Sequence, residues 1–334
     1  MEMASVISLN NANPIVMVNP VKERALDVRE LSDVDIGAWS SLLAAAFDRA
    51  PADMASLLAW MRAGWGLVAY GVWDGDVLAA QYSCLRARLA SDEFPQPIPI
   101  GMSVNMATHP DYRGRGLIKH AAAPVYEALK AAGVVAGVGF SNAAGVKVDR
   151  HSKGYGYQVV GQLRPFIIAP TLRHKPSPDF HLTQQLPPLA GLNMTTSGLQ
   201  FDVTPHEITH RFGRHPFRTY QYGLWQDGDD VKGVVVFQHT RLFGRPAVSL
   251  LTAYSHDLDG LLSRWLAALP SGTPIHILTT PKSRVRDSLS RLRFCVTLPW
   301  QKSPYYLTVK LLSNQTSPTL MDFDQWECMG GHIL

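Results

Sequence analysis

Three cysteines in 334 residues, Cys84, Cys295 and Cys328, are odd in number and widely spaced. Neither a disulfide framework nor a zinc-ligand spacing follows from them, so the expected compartment is a reducing cytoplasm and the expected role is that of small buried hydrophobes. Long apolar runs are missing too. A membrane-spanning helix needs about 18 to 20 apolar residues in a row, and the most apolar region, 117–140, is broken by Lys119, His120, Glu127 and Lys130. The opening MEMASVISLNNANP has an acidic residue and no basic cluster, which reads as a loose extension over 1–24 rather than a secretory leader. Charge of one sign is also scarce: a net +4 admits a small anionic ligand but is too mild to argue for nucleic acid.

What is present is core-forming material. A hydrophobic fraction of 46% against 17% charged residues excludes a disordered chain. At about 100–200 residues per domain, the length accommodates two. The stretch 100–161 organises the rest. It reads as an apolar strand (IPIGMSVNMAT), a basic glycine loop (HPDYRGRGL), a helix (IKHAAAPVYEALKAAG), a second apolar strand (VVAGVGFSN), and a short helix leading to a third strand. A loop that hands a strand to a helix leaves backbone N–H groups without partners, and the helix dipole adds positive potential there. Both suit a phosphate or pyrophosphate. Gly114 and Gly116 allow close backbone approach, and Arg113 and Arg115 add charge.

In Arg113-x-x-Gly116 after a strand, Gly139-Phe140-Ser141-Asn142 ending the next, and Gly156-Tyr157-Gln158-Val159-Val160-Gly161, the sequence resembles the GNAT superfamily of acetyl-CoA-dependent N-acetyltransferases over roughly 30–168. The resemblance implies acetyl-CoA as acyl-donor co-substrate, with no metal. It implies that the loop amides of Arg113, Gly114, Arg115, Gly116, Leu117 and Ile118 hold the pyrophosphate. The backbone of Met106, Ala107 and Thr108, together with Asn142, would meet the pantetheine arm. Two positions depart from the family pattern: Ile118 stands where Gly or Ala is usual, and Ser152 where the family has its catalytic Tyr. Ser152 is a poor acid, which brings in the phenol of Tyr155, three residues on, as the second candidate to protonate the departing thiolate. No carboxylate lies on strand 100–108 to act as base; His109, Asp111 and His151 are near in sequence, and each has a solvated or capping reading beside the catalytic one.

Before the loop, the chain reads as a strand, two helices and a hairpin turning at Asp74-Gly75-Asp76. Pro124 inside the loop's helix predicts a kink. The proline-rich, aperiodic stretch 169–199 reads as a linker, and beyond it the element order partly repeats over 200–334, as a degenerate half without glycine loop or arginine at the matching turn, Tyr254 to Asp257. The expected architecture is therefore α/β: two GNAT-like domains, 25–168 and 200–334, each a mixed, twisted sheet flanked by helices, with CoA held by the first alone. One motif points elsewhere. His206-Glu207-Ile208-Thr209-His210 matches H-E-x-x-H, which on a helix can bind zinc, yet Thr204-Pro205-His206-Glu207 is also a capping box. The segment KSRVRDSLSRLR (282–293) places Lys282, Arg286 and Arg293 near one face, either solvated or receiving a phosphorylated acceptor.

The function expected from these readings is acetyl transfer from acetyl-CoA to a primary amine. The tandem layout resembles acetyltransferases acting on amino sugars, and also the acyltransferases of peptidoglycan cross-bridges. The alternatives are a catalytically silent acyl-CoA-binding module, an aminoacyl transferase of peptidoglycan type, and a zinc hydrolase. The acceptor and the oligomeric state are not legible.

Overall fold

A computed structural model describes residues 26–150, 155–169, 175–194, 198–298, 304–313 and 318–333. Strand β1 (Asp27–Glu30) leads to helices α1 (Ile36–Phe47) and α2 (Pro51–Gly64), then to strands β2 (Leu67–Asp74), β3 (Val77–Ala90) and β4 (Ile98–Thr108). Helix α3 (Ile118–Ala131), strand β5 (Ala136–Ser141), helix α4 (Ala143–Arg150) and strands β6 (Gln158–Gln162) and β7 (Arg164–Ile168) follow. The second part opens with short strands β8 (Phe180–Thr183) and β9 (Leu199–Phe201). Helix α5 (Pro205–Ile208) then runs directly into a π turn, Thr209–Gly213. Next come β10 (Gln221–Asp227), β11 (Asp230–Leu242), β12 (Arg245–Ser255), α6 (Leu258–Ala268), β13 (Ile275–Thr279), α7 (Arg284–Leu292), β14 (Cys295–Thr297), β15 (Tyr306–Leu311) and β16 (Trp326–Glu327).

These elements form two mixed sheets flanked by helices, the expected fold class. The first sheet runs β1-β2-β3-β4-β5-β15-β6, with β9 and β16 attached beyond the end of β3; the second runs β14-β7-β13-β12-β11-β10-β8. On one face of the first sheet α1 and α2 bury Trp39, Leu43, Leu58 and Met61. On the other, α3 buries Ala121, Val125 and Leu129. Helix α3 continues through Pro124 without interruption from Ile118 to Ala131.

The two halves exchange strands. β7 follows β6 immediately in sequence but crosses to the second sheet, between β13 and β14. β15, from near the C-terminus, fills the place next to β5 in the first sheet, antiparallel to β5 and to β6. The sheets therefore do not divide the chain where its sequence repeats. The proline-rich 169–199 is also more than a connection, because β8 within it is the edge strand beside β10.

In the second sheet the parallel pair β12–β13 is registered only from Val248↔Ile275 to Leu250↔Ile277, after which the strands separate. The chain's own C-terminal segment enters that gap. Thr279 bridges Met329, the Thr279 hydroxyl donates to the Cys328 carbonyl at 2.7 Å, and Gly331 lies so close to the Leu251 carbonyl that a Cβ there would sit 2.7 Å from its oxygen. The start of α6 is likewise occupied: the Gly260 N–H donates to Asp257 Oδ1 at 2.9 Å.

Candidate active site

The first sheet has the same separation, left open. β4 and β5 pair in parallel only from Ile100↔Ala136 to Met102↔Val138, so beyond Met102 the β5-facing edge of β4 has no strand partner among the described residues. A bulge sharpens the divergence. Opposite β3 the register jumps between Gln81↔Ala107 and Ser83↔Val104, with Asn105 at φ +47°, a conformation that Asn tolerates better than most residues. The buried side-chain amide of Gln81 donates to the Asn105 carbonyl and holds the bulge. Met106, Ala107 and Thr108 follow directly.

The glycine loop continues from the diverging end of β4. Its first part is tied down: the His109 N–H donates to the Ala79 carbonyl at 2.8 Å, and the Tyr112 hydroxyl donates to the Asp74 carboxylate at 2.9 Å. That acceptor bond is the main reason the Tyr112 phenol is held above its usual pKa. Arg115 donates to the Asp111 carbonyl at 3.2 Å and lies 4.8 Å over the Tyr112 ring. The Arg113 N–H is taken by the Pro110 carbonyl at 3.3 Å, which removes it from the expected set of free loop amides. The next five amides, Gly114 to Ile118, have no acceptor among the described residues. Gly114 and Gly116 sit at φ +79° and +70°, the first in open space and the second with only the Lys119 side chain, at 4.0 Å, near where a Cβ would lie; a side chain would strain either by about 1–2 kcal/mol. Among the described residues no side chain caps the start of α3. A row of unpartnered N–H groups, a helix dipole and exposed Arg113 and Arg115 form an anion cradle, and the residues present fit a pyrophosphate.

Below the cradle, the gap is lined by Ser103 and Met106 of β4, Phe140 and Ser141 of β5, Tyr155, and Thr308 of the exchanged strand β15. Tyr155 places its ring 5.8 Å from that of Tyr82, and its carbonyl accepts from Lys310 Nζ at 2.6 Å. Ser152 and His151 lie outside the described residues. Asn142 caps α4, its Oδ1 accepting from the Ala144 and Gly145 amides at 3.1 and 2.9 Å. Sequence reasoning missed the hydroxyl chain on the floor of the gap. Tyr126 donates to Tyr82 at 2.8 Å, and the Ser103 hydroxyl lies 2.7 Å from both Tyr82 and Tyr157. Burial raises the pKa of all three phenols and pushes the neighbouring Cys84 thiol up to about 12. The available signal was the spacing of Tyr82 and Cys84 on one face of β3, where Cys84 is registered opposite Ser103 of β4.

On the opposite face of β4 a cavity opens between the halves. Trp65, Arg88 and Met102 of the first half meet Arg211, Tyr254 and His332 of the second. Phe201 forms a bridge of rings, 6.1 Å from Phe140 on one side and 5.1 Å from His332 on the other.

The H-E-x-x-H residues are engaged structurally. Glu207 completes the capping box, accepting from the Thr204 amide at 2.7 Å. His210 Nε2 donates to the Trp60 carbonyl at 2.8 Å, while Trp60 Nε1 donates to the His210 carbonyl at 3.0 Å. His210 thus fastens α2 to the second half, and Gly64 is needed beside it because a Cβ there would fall 2.1 Å from the imidazole. No group of three or more His, Cys, Asp or Glu positioned for a metal occurs among the described residues. In 282–293 the basic groups have partners: Lys282 pairs with Asp324 at 2.9 Å, Arg286 with Asp287 at 3.2 Å and Arg291 with Asp259 at 2.7 Å.

Residues 27–158 match the acetyltransferase (GNAT) domain family. No curated protein matches the sequence. Among solved structures, a probable N-acyltransferase from Enterococcus faecalis superposes with a TM-score of 0.61 at 11% identity, over 86% of this chain and 73% of that one. A GCN5-related N-acetyltransferase from Anabaena variabilis gives 0.60 at 13% identity over the same shares, and one from Kribbella flavida 0.58 at 14% over 86% and 71%. At such identities the likeness is one of fold. The similarity to a GNAT acetyltransferase domain is thus confined to 27–158, and no helix among the described residues is long and apolar enough to cross a membrane.

Proposed function

We propose that the protein moves an acyl group, acetyl in the simplest case, from acyl-CoA to a primary amine within a ternary complex. The observation that carries this reading is the run of five amides, Gly114 to Ile118, without acceptors in the loop that continues from the diverging end of a parallel strand pair. A pyrophosphate resting there directs the pantetheine arm along Met106, Ala107 and Thr108 and past Asn142, bringing the thioester beside Tyr155. The amine nitrogen attacks the thioester carbonyl after losing a proton to water. The C–N bond forms, the C–S bond breaks, and the thiolate takes up a proton. Tyr155 is the donor we assign, with Ser152 the alternative. Positioning supplies much of the acceleration, and a free β4 N–H stabilises the carbonyl oxygen.

The amine enters from the cavity between the halves, whose wall includes Met102 of the same strand. An amino-sugar or glycan amine is the acceptor class we favour, on the tandem layout. Free thiols and a CoA donor suit the cytoplasm. The test is an acetyl-CoA titration of the protein and of the double variant Arg113→Glu, Gly116→Glu. Two carboxylates against a diphosphate weaken binding by about tenfold to a hundredfold. Unchanged binding overturns the cradle assignment. Release of CoA thiol with an amine panel demonstrates transfer; tight binding without release for any amine makes the chain a silent acyl-CoA-binding module.

A further inference from the structure

Arg211 has no ion pair and no hydrogen-bonded carboxylate among the described residues, although it lies in the cavity between the halves. Arg211 is half-buried, and a guanidinium partly withdrawn from water is ordinarily answered by a carboxylate. The local sequence offers an obvious partner. Glu207 stands four residues earlier, the spacing at which a carboxylate and an arginine meet on an α-helix. Two features prevent the pairing. Glu207 is held by the Thr204 cap, and the chain leaves α-helical geometry at Thr209 for a π turn through Gly213, which rotates Arg211 out of register. Such turns are rare and concentrate at functional sites.

The other acids on the cavity wall are engaged as well. Asp202 pairs with Arg88 at 2.9 Å. Glu327, on the adjoining part of the cavity, accepts from Arg284 at 3.3 Å and from the Ser283 hydroxyl at 3.2 Å. A neutral donor accompanies Arg211. The Met329 amide donates to His332 Nδ1 at 3.1 Å, so the ring proton resides on Nε2, which has no acceptor among the described residues. Burial and the charge of Arg211 lower the His332 pKa to about 3 and keep it neutral. One unpaired guanidinium and one fixed imidazole N–H therefore share a cavity whose carboxylates already have partners.

Resting on the acyl-transfer reading above, we infer that Arg211, aided by His332, receives an anionic group of the acceptor, so that the substrate is an amine that also carries a carboxylate or phosphate. A site built around such donors discriminates strongly against an analogue lacking the anion, because its donors are then left buried and unanswered.

The experiment uses the full chain with acetyl-CoA and matched pairs of amines: glucosamine 6-phosphate against glucosamine, and β-alanine against β-alaninamide. Thiol release gives kcat/KM for each. The anionic member of one pair is favoured by about tenfold to a hundredfold, the worth of a charge-assisted hydrogen bond. The pair that shows the preference separates phosphate from carboxylate. Arg211→Met abolishes the ratio, Arg211→Lys keeps part of it, and Arg214→Met, an exposed neighbour, leaves it intact. A ratio near one in the wild type, or one unchanged in Arg211→Met, overturns the inference. If no amine is acetylated although acetyl-CoA binds, the transferase reading fails instead. The anion site is then decided by thermal shift with inorganic phosphate and malonate at fixed ionic strength: stabilisation of the wild type but not of Arg211→Met supports it, and equal shifts refute it.

Discussion

Cutting the chain after Ile168 removes the strand that the first sheet borrows, and the fragment 1–168 is expected not to fold. β15 lies between β5 and β6, with six registered pairs on one side and four on the other. Leu307 and Val309 are both 0% exposed. Burying two such side chains contributes about 1.5–3 kcal/mol each, together about 3–6 kcal/mol. The facing backbone groups of β5 and β6 also lose their partners, at about 1 kcal/mol apiece. The loss reaches a large part of the roughly 5–15 kcal/mol that holds a domain together, and it falls beside the gap between β4 and β5, where Thr308 and Lys310 contribute directly. Circular dichroism melting and an acetyl-CoA titration would compare three samples: the full chain, fragment 1–168, and that fragment with residues 304–313 joined through a flexible linker. The joined strand should restore a cooperative melt at least in part. If 1–168 alone melts cooperatively and binds acetyl-CoA like the full chain, the exchange is not required for the fold, and this reasoning fails.

Other outcomes follow from the same geometry. Tyr155→Phe should lower kcat by about a hundredfold or more with KM for acetyl-CoA little changed, the pattern of a lost general acid; an unaffected kcat would remove Tyr155 from that role. Asn142→Ala should cost about 0.5–2 kcal/mol of stability through the α4 cap, read as a lower melting temperature. The His215 pKa is lowered to about 4 by desolvation and by Arg218 and Arg211, while its Nδ1 accepts from the Phe217 and Arg218 amides at 3.3 and 3.1 Å. The unfolded chain therefore binds more protons between about pH 6.5 and 4, so this contribution is complete above pH 6.5 and declines as pH falls through that window. His215→Gln should flatten that part of a melting-temperature profile. With Cys84 and Cys328 buried and their thiols raised in pKa, a thiol reagent on the native protein should label Cys295 fast and the other two only on unfolding.

The amino-acid sequence determined the parts of this protein that depend on neighbouring residues alone. A strand running into His109–Leu117 and then into a helix specifies a cradle, since two glycines at positive φ and an uncapped helix start leave amides free wherever that segment is placed. The capping box at Thr204–Glu207 and the hairpin turns were legible for the same reason. Tertiary structure decided what depends on residues far apart. Alternation and periodicity report that a segment is a strand, not which sheet receives it, so the exchange of β7 and β15 left no trace in the pattern. The hydroxyl chain through Tyr82, Ser103, Tyr126 and Tyr157 draws on two strands, a helix and the segment after α4, and exists only once they are packed. The second half lacks a glycine loop, which the sequence shows. That its gap is filled by 326–333 emerges only in three dimensions, as does the π turn that withdraws Arg211 from Glu207. Backbone conformation at a glycine is a local property, whereas the pairing of a half-buried charge is a property of everything folded around it.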